Sequence, residues 1–174
     1  PAAAAPEGAI LLAGLGDHAP LPSVGRDGIV FVPHHQVDAA GHWSEICRNA
    51  GIEYLSPSQD SRRVVERLRG AKLVLADAMH AAIVADTLRV PWVPLVSSPR
   101  SNTFKWLDWT RSMELPYEPI ALPASTAAAK AQNATFWMSG EHNLLSTCDE
   151  TSALAHFERQ SRLKKRPWWP LARR

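Results

Sequence analysis

Residues 72–96 read KLVLADAMHAAIVADTLRVPWVPLV, and their pattern decides the fold. Lys72 to Ala76 is an apolar run too brief for a helix and reads as a buried strand. A helix from about Met79 to Arg89 follows and ends before Pro91, and Trp92 to Val96 is a second apolar strand. Consecutive parallel strands need a crossover connection, most often a helix, so this strand, helix and strand read as one unit of a parallel sheet.

The same alternation extends on both sides. Ile10 to Leu15, Gly28 to Val32 and Ile52 to Leu55 read as further short strands, and His42 to Ala50 as a helix stopped by Gly51. Asp60 is an N-cap residue for a helix through Arg69, with Val64, Val65 and Leu68 turned inward and Gly70 as its stop. Past Val96, a loop of sequence SSPRSN leads into a helix from Thr103 to Met113, capped by Ser101 or Asn102. The expected fold class is α/β: a Rossmann-like, mostly parallel sheet with helices on both faces, spanning residues 8–119. Residues 1–7 are a disordered start or truncation point, and 120–158, with seven alanines between 121 and 135, are a loosely ordered extension. Residues 159–174 form a basic tail around Trp168 and Trp169.

With 174 residues, 45% apolar and 21% charged, the composition supports one folded core and excludes general disorder, collagen and coiled coil. No apolar run approaches the roughly 18 residues of a membrane span, and the Ala-rich opening lacks the charged and apolar regions of a signal peptide, so a cytoplasmic protein is expected. Because the chain opens on Pro1, an upstream part is also expected. Cys47 and Cys148 form no CxxC pair, which argues against a zinc or disulfide framework. The net charge of +2 conceals a division: the tail holds seven basic residues and no acid, leaving twelve basic against seventeen acidic residues in 1–158. An acidic body opposes nucleic-acid binding.

Ligands of open parallel sheets bind beyond the carboxyl ends of the strands, where helix N-termini present unpaired N–H groups. Three loops qualify. Val32 to Gln36 carries His34 and His35, Asp77 to His80 joins a strand to a helix, and Ser97 to Lys105 brings Arg100 and Lys105 to the mouth of the last strand. An imidazole such as His80, in the first turn of a helix at this edge, can donate to an anion or act as acid or base near neutral pH. The plainer readings are surface histidines, solvated loop cations and an Asp77 that caps the helix. Arg62, Arg63, Arg67 and Arg69 read as a solvated helix face. Dinucleotide, P-loop, zincin and nucleophile-elbow signatures are absent.

The stretches GIVFVPH (28–34), HWSEIC (42–47), KLVLADAMHAAIVADTLRVPWV (72–93) and FKWLDW (104–109) together resemble the polysaccharide pyruvyl transferases, nearest to the succinoglycan-type ketolases of exopolysaccharide biosynthesis. The resemblance covers about residues 8–120 and implies the C-terminal half of an enzyme with two Rossmann-like lobes facing a cleft, as in GT-B-like transferases. It implies transfer of pyruvate from phosphoenolpyruvate to two hydroxyls of a hexose, giving a cyclic ketal. His80 matches the family histidine that contacts phosphoenolpyruvate and is the implied catalytic group. Arg100 and Lys105 would hold the anion and His34 would line the cleft, with no metal and no cofactor beyond the donor substrate. Two positions depart from the family pattern: Ala81 stands where glycine is usual, and Ala78 where some relatives carry arginine. The substrate's carboxylate then needs another cation.

The implied acceptor is a lipid-linked oligosaccharide at the inner membrane, where the cations and indoles of residues 159–174 would give peripheral contact; the bland alternative is a disordered basic terminus. Two other functions fit the same fold. One is a nucleotide-sugar glycosyltransferase lobe, for which Asp86 or Glu114 would have to bind ribose, and the other a non-catalytic module binding anions or sugars.

Overall fold

A computed structural model describes residues 8–39, 42–98 and 101–122. In chain order the elements are two 3-10 turns (Gly8–Gly14 and Gly16–His18), β1 (Asp27–Val32), α1 (His35–Asp38), α2 (Trp43–Asn49), β2 (Glu53–Tyr54), α3 (Ser61–Arg69), β3 (Ala71–Ala76), α4 (Met79–Thr87), β4 (Trp92–Val96), α5 (Thr103–Ser112) and β5 (Ile120–Ala121). The strands form one sheet in the order β2-β1-β3-β4-β5, and every pairing is parallel. The α/β, Rossmann-like reading holds, with a sheet that is wholly rather than mostly parallel.

Side-chain alternation along the strands builds two cores. Val30 and Val32 of β1 and Val74 and Ala76 of β3 join Trp92 on one face, beneath Leu68 of α3, Ile83 of α4 and Trp106 and Trp109 of α5. Phe31, Leu73, Leu75, Val93 and Leu95 point the other way, against Trp43 and Cys47 of α2. Both faces of β3 are thus buried, which is why its sequence is a near-continuous apolar run. Asp60 caps α3 as expected, accepting from the N–H groups of Arg62 and Arg63 at 3.1 and 3.2 Å. Asn102 caps α5, accepting from Lys105 N–H at 3.3 Å.

Two expectations change. Ile10 to Leu15 is not a strand: Gly8–Gly14 is a 3-10 turn, closed at its end by a bond from Leu15 N–H to the Leu12 carbonyl at 3.0 Å. A short apolar run has no periodicity that separates a strand from a packed turn, and here Ala9 and Leu12 cover the core beside α4. The sheet also continues past residue 119, because β5 pairs with Leu95 and Val96 of β4 and Leu122 is buried behind it. The rest of the 120–158 extension and the 159–174 tail lie outside the described residues, as does the 1–7 start. Among the described residues no helix is long and apolar enough to cross a membrane.

Candidate functional site

The strand order turns at β1 and β3: the chain leaves β1 toward β2 and leaves β3 toward β4, so their connections part on opposite sides. Such a switch point opens a crevice beyond the carboxyl ends of the two strands. Val32 and Ala76 are paired at that edge. His34 follows closely on the first, and Asp77 and His80 follow the second.

Asp77 fastens the edge. Only 2% exposed, its carboxylate accepts from His34 N–H at 2.9 Å, from the Ser97 hydroxyl at 2.6 Å and from Ser97 N–H at 3.1 Å. One side chain at the end of β3 therefore holds the chain leaving β1 and the chain leaving β4. The helix-cap reading of Asp77 is corrected by these bonds. The N-cap of α4 is Ala78, whose methyl group offers no oxygen to the first turn. The positive end of α4 thus meets the crevice without a side-chain acceptor from its own cap.

His34 occupies the N-cap of the short α1, where its Nδ1 accepts from Gln36 N–H at 3.4 Å. Its ring lies against His35, with centroids 4.3 Å apart. Burial lowers its pKa below the ordinary value of 6.5; neighbouring His35, Lys105 and His80 add to the lowering and Asp77 opposes it. With Nδ1 accepting, neutral His34 carries its proton on Nε2, and this assignment follows from the hydrogen bond rather than from a located hydrogen. His34 is thus tied to Asp77 through its N–H and to His35 through its ring, and the charges of Lys105 and His80 also act on it. His80 and Lys105 are exposed, each in the first turn of its helix.

Of the four residues singled out in the sequence, the structure brings together His34, His80 and Lys105. Arg100 lies outside the described residues. The cluster is rich in groups that are positive or can become so around one buried carboxylate, an arrangement suited to a small multivalent anion. Among the described residues no group of His, Cys, Asp or Glu side chains gathers as metal ligands would. Cys47 is buried on the inner face of α2, and burial pushes its thiol up to about 12, so it offers no thiolate at neutral pH.

Two contributors escape sequence reading. His35 is named there beside His34 with no periodic signal to separate their roles, but Ser97 looks like ordinary loop serine until Asp77 is seen across the edge. Tyr117 lies in the loop before β5 with its ring stacked on Trp106, centroids 5.2 Å apart at 22°. Burial pushes its hydroxyl up to about 12, and the Asp77 charge adds to the rise. Nothing local in the sequence links residues 77 and 117. The two acids considered for ribose are not at the edge. Asp86 is 4% exposed and accepts from the Trp92 indole N–H at 3.2 Å inside the core, and Glu114 sits just past the C-terminal end of α5.

No family model matches the chain. Over 108 residues it is 39% identical to the succinoglycan biosynthesis protein ExoV of Rhizobium meliloti (strain 1021). The matched stretch is 62% of this chain and 34% of that protein, so the chain spans about a third of the relative's length. This similarity bears out the resemblance that residues 28–109 carry to the succinoglycan-type proteins of exopolysaccharide biosynthesis.

Proposed function

We propose that this chain is the phosphoenolpyruvate-binding lobe of a polysaccharide pyruvyl transferase acting on a hexose of a lipid-linked exopolysaccharide unit. The observation that carries the reading is the placement of His34, His80 and Lys105 at the carboxyl edge of the sheet, beside the β1/β3 switch point and an α4 N-cap that offers no side-chain acceptor. Phosphoenolpyruvate bears a phosphate and a carboxylate, and it asks for several positive or donating groups within the span of a small molecule.

In this reading Lys105 and the Nε2–H of His34 hold the anion, and His80 acts as the acid. Protonation of the enol C3 by His80 leaves positive character at C2, which the first sugar hydroxyl attacks, passing its proton to the imidazole that gave one up. The C2–O bond to phosphate then breaks, phosphate leaves with the electron pair, and the second hydroxyl closes on C2 as its proton passes to phosphate. The products are a cyclic ketal and inorganic phosphate. Cations around the phosphate stabilise the charge that grows there as it departs, and a positioned acid speeds the first proton transfer. The hydroxyls need a second surface to orient them, so the lobe alone binds donor without transferring it.

Titration calorimetry of the full chain with phosphoenolpyruvate and, separately, with uridine and guanosine diphosphates tests the assignment. Binding of phosphoenolpyruvate in preference to both nucleotides supports it. Preference for a nucleoside diphosphate would transfer the site to glycosyltransferase chemistry.

A further inference from the structure

The helix α1 is four residues long, far below the length at which a helix holds itself together in water, and none of its residues is buried. It nevertheless carries His34 at its N-cap and His35 at its first position. Packing does not fix it, and hydrogen bonds do so at both ends. At the start, His34 N–H donates to Asp77 at 2.9 Å. At the close, both oxygens of the Asp38 carboxylate are engaged: the Tyr54 hydroxyl donates to Oδ1, and the Ser56 hydroxyl donates to Oδ2 at 2.8 Å. The Trp43 indole N–H adds a bond to the Val37 carbonyl at 3.3 Å.

The donors to Asp38 are themselves held. β2 runs parallel to β1 with Tyr54 opposite Phe31, and Leu55 N–H bonds the Phe31 carbonyl at 3.0 Å, so the chain leaves both strands at the same edge. The Ser56 hydroxyl oxygen accepts from Ser58 N–H at 3.2 Å, which leaves its proton for Asp38. Asp38 N–H in turn bonds the His34 carbonyl at 2.9 Å, one turn back. β2 therefore grips the far end of the turn whose near end bears His34.

Charge alone disfavours a carboxylate at this place. Asp38 is the last residue of its helix, the pole that favours cations, and it lies one turn, about 6 Å of rise, from a residue read as holding an anion. The two bonds supply the reason for it. A carboxylate accepts a hydroxyl on each oxygen, whereas an asparagine would set an NH2 group against one of them.

We propose that Asp38, Tyr54 and Ser56 are positioning residues of the anion site, a clasp that fixes α1 to β2 so that His34 presents its Nε2–H at the crevice. This rests on the reading above for His34 as a holder of the anion and for which anion arrives.

The sign of one substitution separates positioning from charge. Asp38→Asn removes a negative charge beside the site, which by itself tightens anion binding, and it breaks one of the two hydroxyl bonds, which on this proposal weakens binding. Inorganic phosphate and phosphoenolpyruvate are titrated separately into the full chain as wild type, Asp38→Asn, Tyr54→Phe, Ser56→Ala and Ser56→Thr. The expected result is binding about three- to tenfold weaker in Asp38→Asn and in each donor deletion, with recovery in Ser56→Thr, which keeps the hydroxyl. Adding Ser56→Ala to Asp38→Asn should weaken it little further. The seven histidines are isotope-labelled on their ring nitrogens, and His34→Asn assigns the His34 signal. Wild type should show the His34 proton on Nε2, because Nδ1 accepts from Gln36 N–H within α1, and the weakened variants should show it divided between the two nitrogens. Unchanged or tighter binding in Asp38→Asn, a His34 signal that no variant moves, or additive losses in the double variant would overturn the proposal. Ser56→Ala, the mildest change, decides the matter if Asp38→Asn does not fold. Failure of wild type to bind either anion overturns the clasp and the pyruvyl reading together. If phosphate binds and responds to the variants while phosphoenolpyruvate does not bind, the clasp stands and the pyruvyl reading falls.

Discussion

The two ends of α4 are built to opposite plans. At the C-terminal end the carbonyls of four residues find donors: Val90 N–H bonds the Ala85 carbonyl at 2.8 Å, Arg89 N–H bonds the Asp86 carbonyl at 3.1 Å, and the Arg26 guanidinium reaches the carbonyls of Leu88 and Arg89 at 3.1 and 2.5 Å. These bonds close the helix in a Schellman motif and set a cation at its negative pole. At the N-terminal end Ala78 offers no cap, and His80, Lys105 and the positive pole share one edge. On the proposed reading, an anion bound there would meet both the cations and the positive pole. The closed end is a structural device, and the open end is where a ligand has something to contribute.

The largest effect belongs to the residue that keeps the open end in shape. Asp77→Ala strips the acceptor from three donors at the ends of β1 and β4, two of them on Ser97, and is expected to cost about 2–4 kcal/mol. A lower urea midpoint with an unchanged slope is the measurement. Loss of less than about 0.5 kcal/mol, the range of ordinary surface changes, would mean that the edge is held by other contacts.

A pair of substitutions then sets the ends of α4 against each other. Arg26→Ala removes two carbonyl bonds at the closed end and should lower stability by about 1–2 kcal/mol while leaving phosphoenolpyruvate affinity unchanged. His80→Ala, at an exposed position, should leave stability within about 0.5 kcal/mol and reduce that affinity about tenfold, the scale of one charge-assisted contact. Denaturant melts and calorimetry on both variants read the two quantities. A stability loss in His80→Ala with intact binding would reverse the assignment of the ends.

This division also explains what the sequence discloses. The closed and buried parts are written in local signals: the apolar runs of β3 and β4, Asp60 and Asn102 at their N-caps, and Gly51 past α2 all act within a few residues of where they stand. The edge is legible only as a place. Loop position after a strand points to His34, His80 and Lys105, but the bond from Asp77 to Ser97 spans 20 residues and the bond to His34 spans 43. No periodicity encodes such links. Asp77 looked like a cap because a carboxylate before a helix has that local use, and the tertiary acceptor role prevailed. The 3-10 turn at Gly8–Gly14 was hidden for the same reason, since what makes it a turn is the surface of α4 beneath it.

The open end should also respond to pH with a sign fixed by His34. Its pKa in the folded chain lies below 6.5, chiefly through burial, so the unfolded chain takes up the proton first as pH falls. The contribution to stability is therefore complete above 6.5 and lost on going below it, which gives a stability that rises with pH through that window. His34→Asn keeps an N-cap acceptor for α1 and should flatten the rise between about pH 5.5 and about pH 7.5 in urea titrations. Anion binding has the opposite sign. A bound dianion favours the protonated imidazole, so phosphoenolpyruvate affinity should increase as pH falls through the same window. A stability curve of equal slope in wild type and His34→Asn would place the titrating group elsewhere.

The smallest effects test the closed ends of the helices. Gly51 and Arg89 occupy the same place in the same motif, one residue past the helix cap, with φ of 67° and 59°. In both, the following residue bonds back across the last turn: Ile52 N–H to Cys47 at 2.9 Å, and Val90 N–H to Ala85 at 2.8 Å. Glycine takes the left-handed conformation without steric cost, whereas an L side chain there is strained by about 1–2 kcal/mol. Gly51→Ala introduces that strain, partly offset because alanine has less freedom to lose on folding, and should lower stability by about 1 kcal/mol. Arg89→Gly relieves the strain but adds freedom to the unfolded chain and gives up what the arginine side chain touches, so the net gain should be about 0.5 kcal/mol or less. The signs are the test, read as shifts of the urea midpoint in opposite directions. A clear loss in Arg89→Gly would show that the arginine side chain, and not only the backbone turn, helps to close that end of α4.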